Sequence, residues 1–121
     1  MKILQQFALC GSCDCSCPSI NETDNNSFLI GGNKTNSPNK VALPLAEYLN
    51  AAQKMQAPAL PEYTGNVEIS GDMIIFSGRP LEASEIPLLA KSLSKDEAGI
   101  EVSTADFWSI YPAIRKVTTA A

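Results

Sequence analysis

Proline positions limit the length of every regular element that this chain can form. The chain has 121 residues and eight prolines. A proline ring removes a backbone donor and clashes with the preceding helical turn, so it is tolerated only in the first turn of a helix. Pro44 and Pro87 suit first turns, whereas Pro58 should end a helix.

The middle of the chain carries one helical pattern and one strand pattern. A helix is expected to begin near Pro44 and to stop before Pro58. Apolar and polar residues alternate over 66–69, the turn formers Ser70-Gly71-Asp72 come next, and the apolar run 73–76 follows, which together predict a β-hairpin at 66–76. The expected apolar face of the helix consists of Leu45, Leu49, Ala52 and Met55.

Two further helices are predicted nearer the C-terminus. The second should begin at Ser84 and stop before Gly99, followed by a short strand at 100–102. The third should begin at Ser103, which opens a pattern similar to a capping box. Pro112 should kink this last helix.

The first third of the chain lacks these patterns. Residues 18–40 are rich in Asn, Ser, Thr and Gly, and residues 1–40 are predicted to form an extended arm, mostly loop. One apolar island, Phe28-Leu29-Ile30, should anchor this loop or add a strand to a neighbouring sheet. The predicted fold is a small α+β domain over residues 41–121, with a hairpin at about 66–76 and three helices, preceded by the arm.

Charge and composition argue against several classes of function. The net charge is −4, and the nine Lys and Arg residues are scattered, so neither nucleic acid nor an anionic membrane is expected as a partner. The chain has no histidine, the commonest general base and metal ligand. Asp72, Glu82, Glu85 and Asp106 are interpreted as surface charges, and no enzyme activity is expected.

The N-terminal residues do not match a secretory signal. Gln5-Gln6 interrupts the apolar stretch that a signal peptide needs, and no run approaches the length of a membrane span. The prediction is synthesis in the cytoplasm, with incorporation into a large particle as one destination.

Four cysteines near the N-terminus carry the most specific chemistry. Cys10, Cys13, Cys15 and Cys17 form a C-x-x-C-x-C-x-C pattern. Thiolates suit zinc, copper(I) or an iron–sulfur cluster, although structural zinc sites usually use two separated pairs of ligands. The same residues are able to form disulfides within the chain or between chains. A reduced cluster, or a substrate for modification, is the third reading.

The cysteine segment also has two local resemblances. Leu9-Cys10-Gly11-Ser12-Cys13, followed by Cys15-Ser16-Cys17, resembles the core of a methanobactin precursor, although only Asp14 separates the inner cysteines where that core has two residues. This resemblance implies a peptide that is modified to chelate copper. Cys10, Cys13 and Cys15 also have a spacing similar to that of the nitrile hydratase metal claw.

Two functions follow from these features. The first is a non-enzymatic structural subunit of a larger complex, such as a virion component, in which the arm contacts or cross-links other protein subunits. The second is a small metal- or iron–sulfur-binding protein, or the precursor of a copper-chelating peptide, that uses Cys10–Cys17. The apolar residues expected at the interface with a neighbour are Phe28, Leu29, Ile30, Trp108 and Tyr111.

Overall fold

The computed structural model describes residues 2–8, 19–55, 63–89 and 96–112. Antiparallel β-strands dominate this part of the chain, and two α-helices and one short 3-10 turn complete it. The elements, in chain order, are β1 (Ile3–Ala8), β2 (Ser19–Thr23), β3 (Ser27–Lys34), β4 (Lys40–Pro44), α1 (Leu45–Gln53), β5 (Val67–Ser70), β6 (Met73–Ser77), β7 (Arg79–Pro80), the 3-10 turn (Ile86–Leu88), β8 (Glu97–Ser103) and α2 (Thr104–Ser109).

Strand β3 is the centre of the sheet, because it pairs with β2, β4 and β8. β1 extends the sheet beyond β2, and β4 continues it through β6 to β5. β7 follows β6 after a single residue and pairs with β8. Paired strands therefore run from β3 through β4 to β6 and, after one residue, from β7 through β8 back to β3. Strands before and after residue 40 belong to this one sheet. Among the described strands, β1 and β5 end the path of paired strands.

Gly78 is the residue between β6 and β7, at the corner where the chain leaves β4 and joins β8. Its N–H donates to the carbonyl of Asn39 at 2.8 Å. A Cβ atom at this position would collide with the carbonyl oxygen of Glu101 and lie 3.0 Å from its carbonyl carbon. Only a residue without a side chain lets the two backbones approach this closely.

One face of the sheet forms the hydrophobic core together with the helices. Phe28 and Ile30 of β3 lie opposite Val102 and Ile100 of β8, and directly paired residues share a face. Phe107 of α2 stacks on Phe28, with ring centroids 3.8 Å apart. The large side chains with almost no exposure in this core are Ile20, Phe28, Ile30, Val41, Leu43, Tyr48, Val67, Ile74, Phe76, Ile100 and Phe107.

Helix α1 begins where the sequence predicts it, directly after Pro44. Pro44 closes β4 and has a φ of −59° at the boundary between strand and helix. The N–H of Leu45, which lacks a partner within the helix, donates to the carbonyl of Asp72 at 2.8 Å. The helix ends at Gln53, ahead of Pro58 as expected.

The buried face of α1 is centred on Tyr48, Ala51 and Ala52. The Tyr48 hydroxyl donates to the carbonyl of Phe107 at 2.8 Å and joins α1 to α2. The predicted apolar face is therefore rotated, because the phenol ring of Tyr48 enters the core and its polar end finds a backbone partner. Three residues of the predicted face are only partly buried and pack at its margin: Leu45, Leu49 and Met55.

The prediction of three helices is wrong for the described residues. The helix expected from Ser84 is a single 3-10 turn, and the backbone of Leu89 is already extended, with φ −71° and ψ 148°. Gly99, expected to stop that helix, lies within β8. Strand β8 covers residues 97–103, whereas the sequence predicted a strand only at 100–102. The last helix does begin at Ser103, whose side chain accepts a hydrogen bond from the N–H of Asp106.

The prediction of an extended, mostly looped arm before the α+β domain is also wrong for the described residues. The apolar island lies in the first half of β3, the most extensively paired strand. Buried polar side chains hid the strands from sequence reasoning, because residues such as Asn21 and Ser27 look like loop residues. By contrast, the predicted hairpin at 66–76 is confirmed as β5 and β6. The corrected fold is a mainly antiparallel β-sheet with two helices.

Replacing Tyr48 by phenylalanine tests the link between the helices. Phe107 would lose the buried donor at its carbonyl, so we expect Tyr48→Phe to lower the free energy of unfolding by about 1–2 kcal/mol. Tyr63→Phe is the matched control, since the Tyr63 hydroxyl also donates to a backbone carbonyl at 2.8 Å but the side chain is exposed. Water can replace that donor, and urea titration should show a change below about 0.5 kcal/mol. Equal losses would contradict the assignment.

Substitutions of two glycines test the corner of the sheet. Gly78→Ala should destabilise the fold by at least about 2 kcal/mol, because its Cβ meets rigid backbone. Gly99→Ala meets flexible side chains rather than backbone, with Cδ1 of Leu81 at 2.8 Å and Cδ1 of Leu89 at 3.4 Å, and should cost less than about 1 kcal/mol. Thermal and urea unfolding of both variants provide the comparison. A Gly78→Ala variant as stable as Gly99→Ala would show that the close backbone approach is not required.

Candidate functional site

The face of the sheet opposite the core is polar and yet largely buried. Asn21 has no exposed surface, and its Nδ2 donates to the carbonyl of Leu29 at 2.9 Å. The hydroxyls of Thr23 and Ser27 lie 2.7 Å apart. Buried polar groups are stable only with such partners. This face is therefore an ordered layer of hydrogen bonds rather than a solvated surface.

Arg79 is the centre of an ion-pair network on this polar face. Its two terminal nitrogens bind the two carboxylate oxygens of Glu85 at 2.9 and 2.6 Å, in the bidentate geometry that guanidinium favours. Its Nε and one terminal nitrogen also donate to Oε1 of Glu101, at 3.1 and 2.7 Å. The guanidinium of Arg79 is thus shared by two carboxylates.

The second oxygen of Glu101 joins the network to β3. Oε2 accepts a hydrogen bond from the Ser27 hydroxyl at 2.6 Å and a longer one from Asn25 at 3.4 Å. On the other side, Glu85 accepts the backbone N–H of Glu82 at 2.9 Å. The network therefore connects β3, β7 and β8 to the segment that begins after Pro80. The network explains why β8 has a charged residue, Glu101, near its middle, because both carboxylate oxygens of Glu101 accept hydrogen bonds.

The network keeps its carboxylates ionised. Hydrogen bonds from Arg79 and from the backbone of Glu82 lower the pKa of Glu85 to about 2. Partial burial would raise the pKa of Glu101, but hydrogen bonds from Ser27, Arg79 and Asn25 outweigh it and lower that pKa. The carboxylates in turn raise the pKa of Arg79. Groups held in one charge state near neutral pH are poor proton donors or acceptors, so this arrangement stabilises structure rather than transferring protons.

The four cysteines, Cys10, Cys13, Cys15 and Cys17, lie outside the described residues. The strands on either side of them are described, and they pair in the antiparallel direction with Ala8 opposite Ser19. Ala8 is the last residue of β1 and Ser19 is the first residue of β2, so β1 ends directly opposite the point where β2 begins. In sequence, the segment with the cysteines connects β1 to β2.

The residues predicted to form an interface are buried within the fold. Phe28 and Ile30 belong to the core face, whereas Leu29 is buried on the polar face of β3. Trp108 and Tyr111 are also buried, and their rings contact each other edge to face at 5.3 Å. Their contact with a neighbouring chain stays a prediction, and little of their surface is available for it.

The carboxylates considered as surface charges behave differently from one another. Only Glu85 of that set belongs to the Arg79 network. Asp106 accepts two 3.2 Å hydrogen bonds from Asn66, which joins α2 to the residue before β5. Sequence reasoning missed Arg79 and Glu101 because they are distant in sequence. The available signal was the charged residue at the centre of the short strand predicted at 100–102.

Comparisons with known proteins provide no family for this chain. No family model matches it, and neither does any curated protein or solved structure. Among the described residues, no group of three or more cysteine, aspartate or glutamate side chains is arranged to hold a metal ion. In the same part of the chain, no helix has the length and apolar character needed to cross a membrane.

The stability of the Arg79 network should depend on pH. Because the pKa of Glu85 in the folded chain lies below its ordinary value of 4.5, the ion pair stabilises the fold above that pH. This contribution is lost as the pH falls towards 2 and Glu85 becomes protonated. Arg79→Gln should therefore lower the free energy of unfolding more at pH 7 than at pH 2.

Urea unfolding of Arg79→Gln and the unaltered chain at both pH values checks this expectation. Lys40→Gln is the control, since Lys40 forms an exposed ion pair with Glu68 at 3.6 Å and should have a small effect at either pH. A cost of Arg79→Gln that is the same at both pH values would contradict an electrostatic role for the network.

Proposed function

We propose that this protein is a non-enzymatic structural subunit of a larger assembly and that its cysteine segment makes covalent contacts with neighbouring chains. The observation that carries the proposal is the pairing of Ala8 with Ser19 in the β1–β2 hairpin. In sequence, the segment with Cys10, Cys13, Cys15 and Cys17 lies between β1, which ends the path of paired strands, and its neighbour β2. We propose that the thiols between these two strands in sequence meet a second chain at this end of the sheet.

The polar face supports a structural role for the rest of the chain. The Arg79 network holds the segment after Pro80 against β8 through charge-assisted hydrogen bonds. A subunit of an assembly needs such a rigid frame, because an interface ordered in advance costs less conformational entropy on binding. The lowered pKa values of Glu85 and Glu101 fit this frame better than acid–base catalysis.

Gel electrophoresis with and without reductant tests the proposal. After mild oxidation, the unaltered chain should migrate as covalent dimers and larger species that reductant converts to monomer. A variant with all four cysteines replaced by serine should remain monomeric on the same gel. Ser12→Ala with Ser16→Ala is the matched control within the segment and should behave like the unaltered chain. Only monomeric chains after oxidation would contradict the proposal.

A second candidate function is metal binding by the same segment. The observation that favours it is an equal spacing in sequence from the paired residues Ala8 and Ser19. Cys10 lies two residues after Ala8, and Cys17 lies two residues before Ser19. Because the strand pairing already closes the connection, less chain entropy is lost when thiolates converge on one ion. Four thiolates without histidine suit copper(I), zinc or an iron–sulfur cluster.

Elemental analysis of the purified chain separates the two candidates. Metal binding predicts a stoichiometric metal content that disappears in the four-serine variant and persists in the Ser12→Ala, Ser16→Ala control. A brown colour with visible absorption would identify an iron–sulfur cluster, and copper(I) or zinc would be colourless. Metal-free protein that forms reductant-sensitive oligomers would exclude this second candidate and favour the assembly function.

A further inference from the structure

Residues 81–89 form a strap that crosses the polar face of the sheet. Near its start, the N–H of Leu81 donates to the carbonyl of Gly99 in β8 at 3.0 Å. Near its end, the carbonyl of Leu88 accepts a hydrogen bond from Nε2 of Gln6 in β1 at 2.9 Å. The strap therefore extends from β8 to β1. The strand register places one row of residues between these points, namely Glu101, Leu29, Asn21 and Gln6.

The strap lies over a small apolar layer that is separate from the main core. Among the described residues, Leu29 and Leu89 are the buried apolar side chains that do not belong to the main core. Gly31 and Gly99 pair directly, and neither places a side chain on the polar face. Leu81 and Leu89 fill the space in front of Gly99, with Cδ1 atoms 2.8 and 3.4 Å from where its Cβ would be. The glycine pair therefore leaves room in the sheet for two leucines of the strap.

Few contacts hold the strap in place. Four of its nine residues are exposed, and Leu89 alone is buried. Apart from the bond of Leu81, the backbone hydrogen bonds described for the strap are internal, such as that from the N–H of Leu88 to the carbonyl of Glu85 at 3.0 Å. The charged contact to the sheet is the bidentate ion pair of Glu85 with Arg79. Segments with few buried apolar contacts open at a lower free energy than the rest of a fold.

We infer that the strap opens as a unit while the sheet stays folded, that the Glu85–Arg79 ion pair is its latch, and that opening uncovers Leu29 and the glycine pair. Arg79 and Glu101 belong to paired strands and stay on the sheet when Glu85 leaves. Arg79 then keeps its hydrogen bonds to Glu101, so its charge is not left without a partner. The closed form predominates and keeps Leu29 from contact with other chains. This control of access goes beyond the proposed function, because it uses none of the cysteines.

Hydrogen exchange of the backbone amides separates strap opening from global unfolding. In the unaltered chain, the amides of Leu81 and Leu88 should exchange at least about tenfold faster than those of residues 28–30 in β3. Low concentrations of urea should change the strap rates little and the β3 rates strongly, because opening exposes less surface than unfolding. Equal rates with equal urea dependence would show that the strap opens only with the whole chain, and would overturn the inference.

Tyr48→Phe provides an independent distinction between the two kinds of opening. It weakens a contact between α1 and α2 that the open form keeps and the unfolded chain loses. The β3 amides should therefore exchange about five- to thirtyfold faster, whereas the strap rates should not change. Acceleration of the strap amides by the same factor as the β3 amides would overturn the inference.

Glu85→Gln tests the latch. This substitution removes the ion pair, so the amides of Leu81 and Leu88 should exchange several-fold faster. Glu82→Gln is the matched control, since Glu82 is an exposed strap residue of the same charge, and its strap rates should equal those of the unaltered chain. Unchanged rates in Glu85→Gln, or equal acceleration in Glu82→Gln, would overturn the latch. All measurements are made with reductant, so that their failure leaves the thiol contacts separately testable.

Discussion

The close approach of the backbone at Gly78 to that of Glu101 is the constraint on which the arrangement of this protein depends. It allows β6 to pair with β4, and β7, which follows β6 after a single residue, to pair with β8. The two partners of β3, β4 and β8, are therefore joined to each other through β6 and β7. The core, in which Phe107 stacks on Phe28, lies on one face of this sheet. A side chain at the corner would separate β7 from β8 and open that core.

The same corner organises the polar face. Arg79 follows Gly78 directly, and the β7–β8 register sets it opposite Glu101. The guanidinium then binds Glu85 as well, and Glu101 binds Ser27 of β3. The backbone at Gly78 therefore helps to position residues on both faces of the sheet. One face packs into the apolar core, and the other carries the charge-assisted hydrogen bonds. The layer of charges adds to the rigidity of a small chain whose hydrophobic core is limited by its size.

Local chemistry allowed part of this structure to be predicted. Pro44 marks the start of α1, Ser103 caps α2, and the alternation around Gly71 predicts the β5–β6 hairpin. The central strand was missed because its neighbours carry buried polar residues, and their partners come from distant strands. Pairing between residues far apart in sequence cannot be read from periodicity. The cysteines were recognisable from their spacing, but their attachment between Ala8 and Ser19 needed the strand register.

The proposed function depends on the position of the cysteines in sequence between Ala8 and Ser19, which pair at one end of the sheet. The most direct test mixes chains of natural isotopic composition with chains labelled with nitrogen-15, oxidises the mixture and maps the disulfide-linked peptides by mass spectrometry. The account predicts linked peptides that combine one labelled and one unlabelled copy of residues 10–17. Disulfides found only within single copies of residues 10–17, with no linked pair that combines the two isotopic forms, would show that the bonds form within one chain and would contradict the proposal.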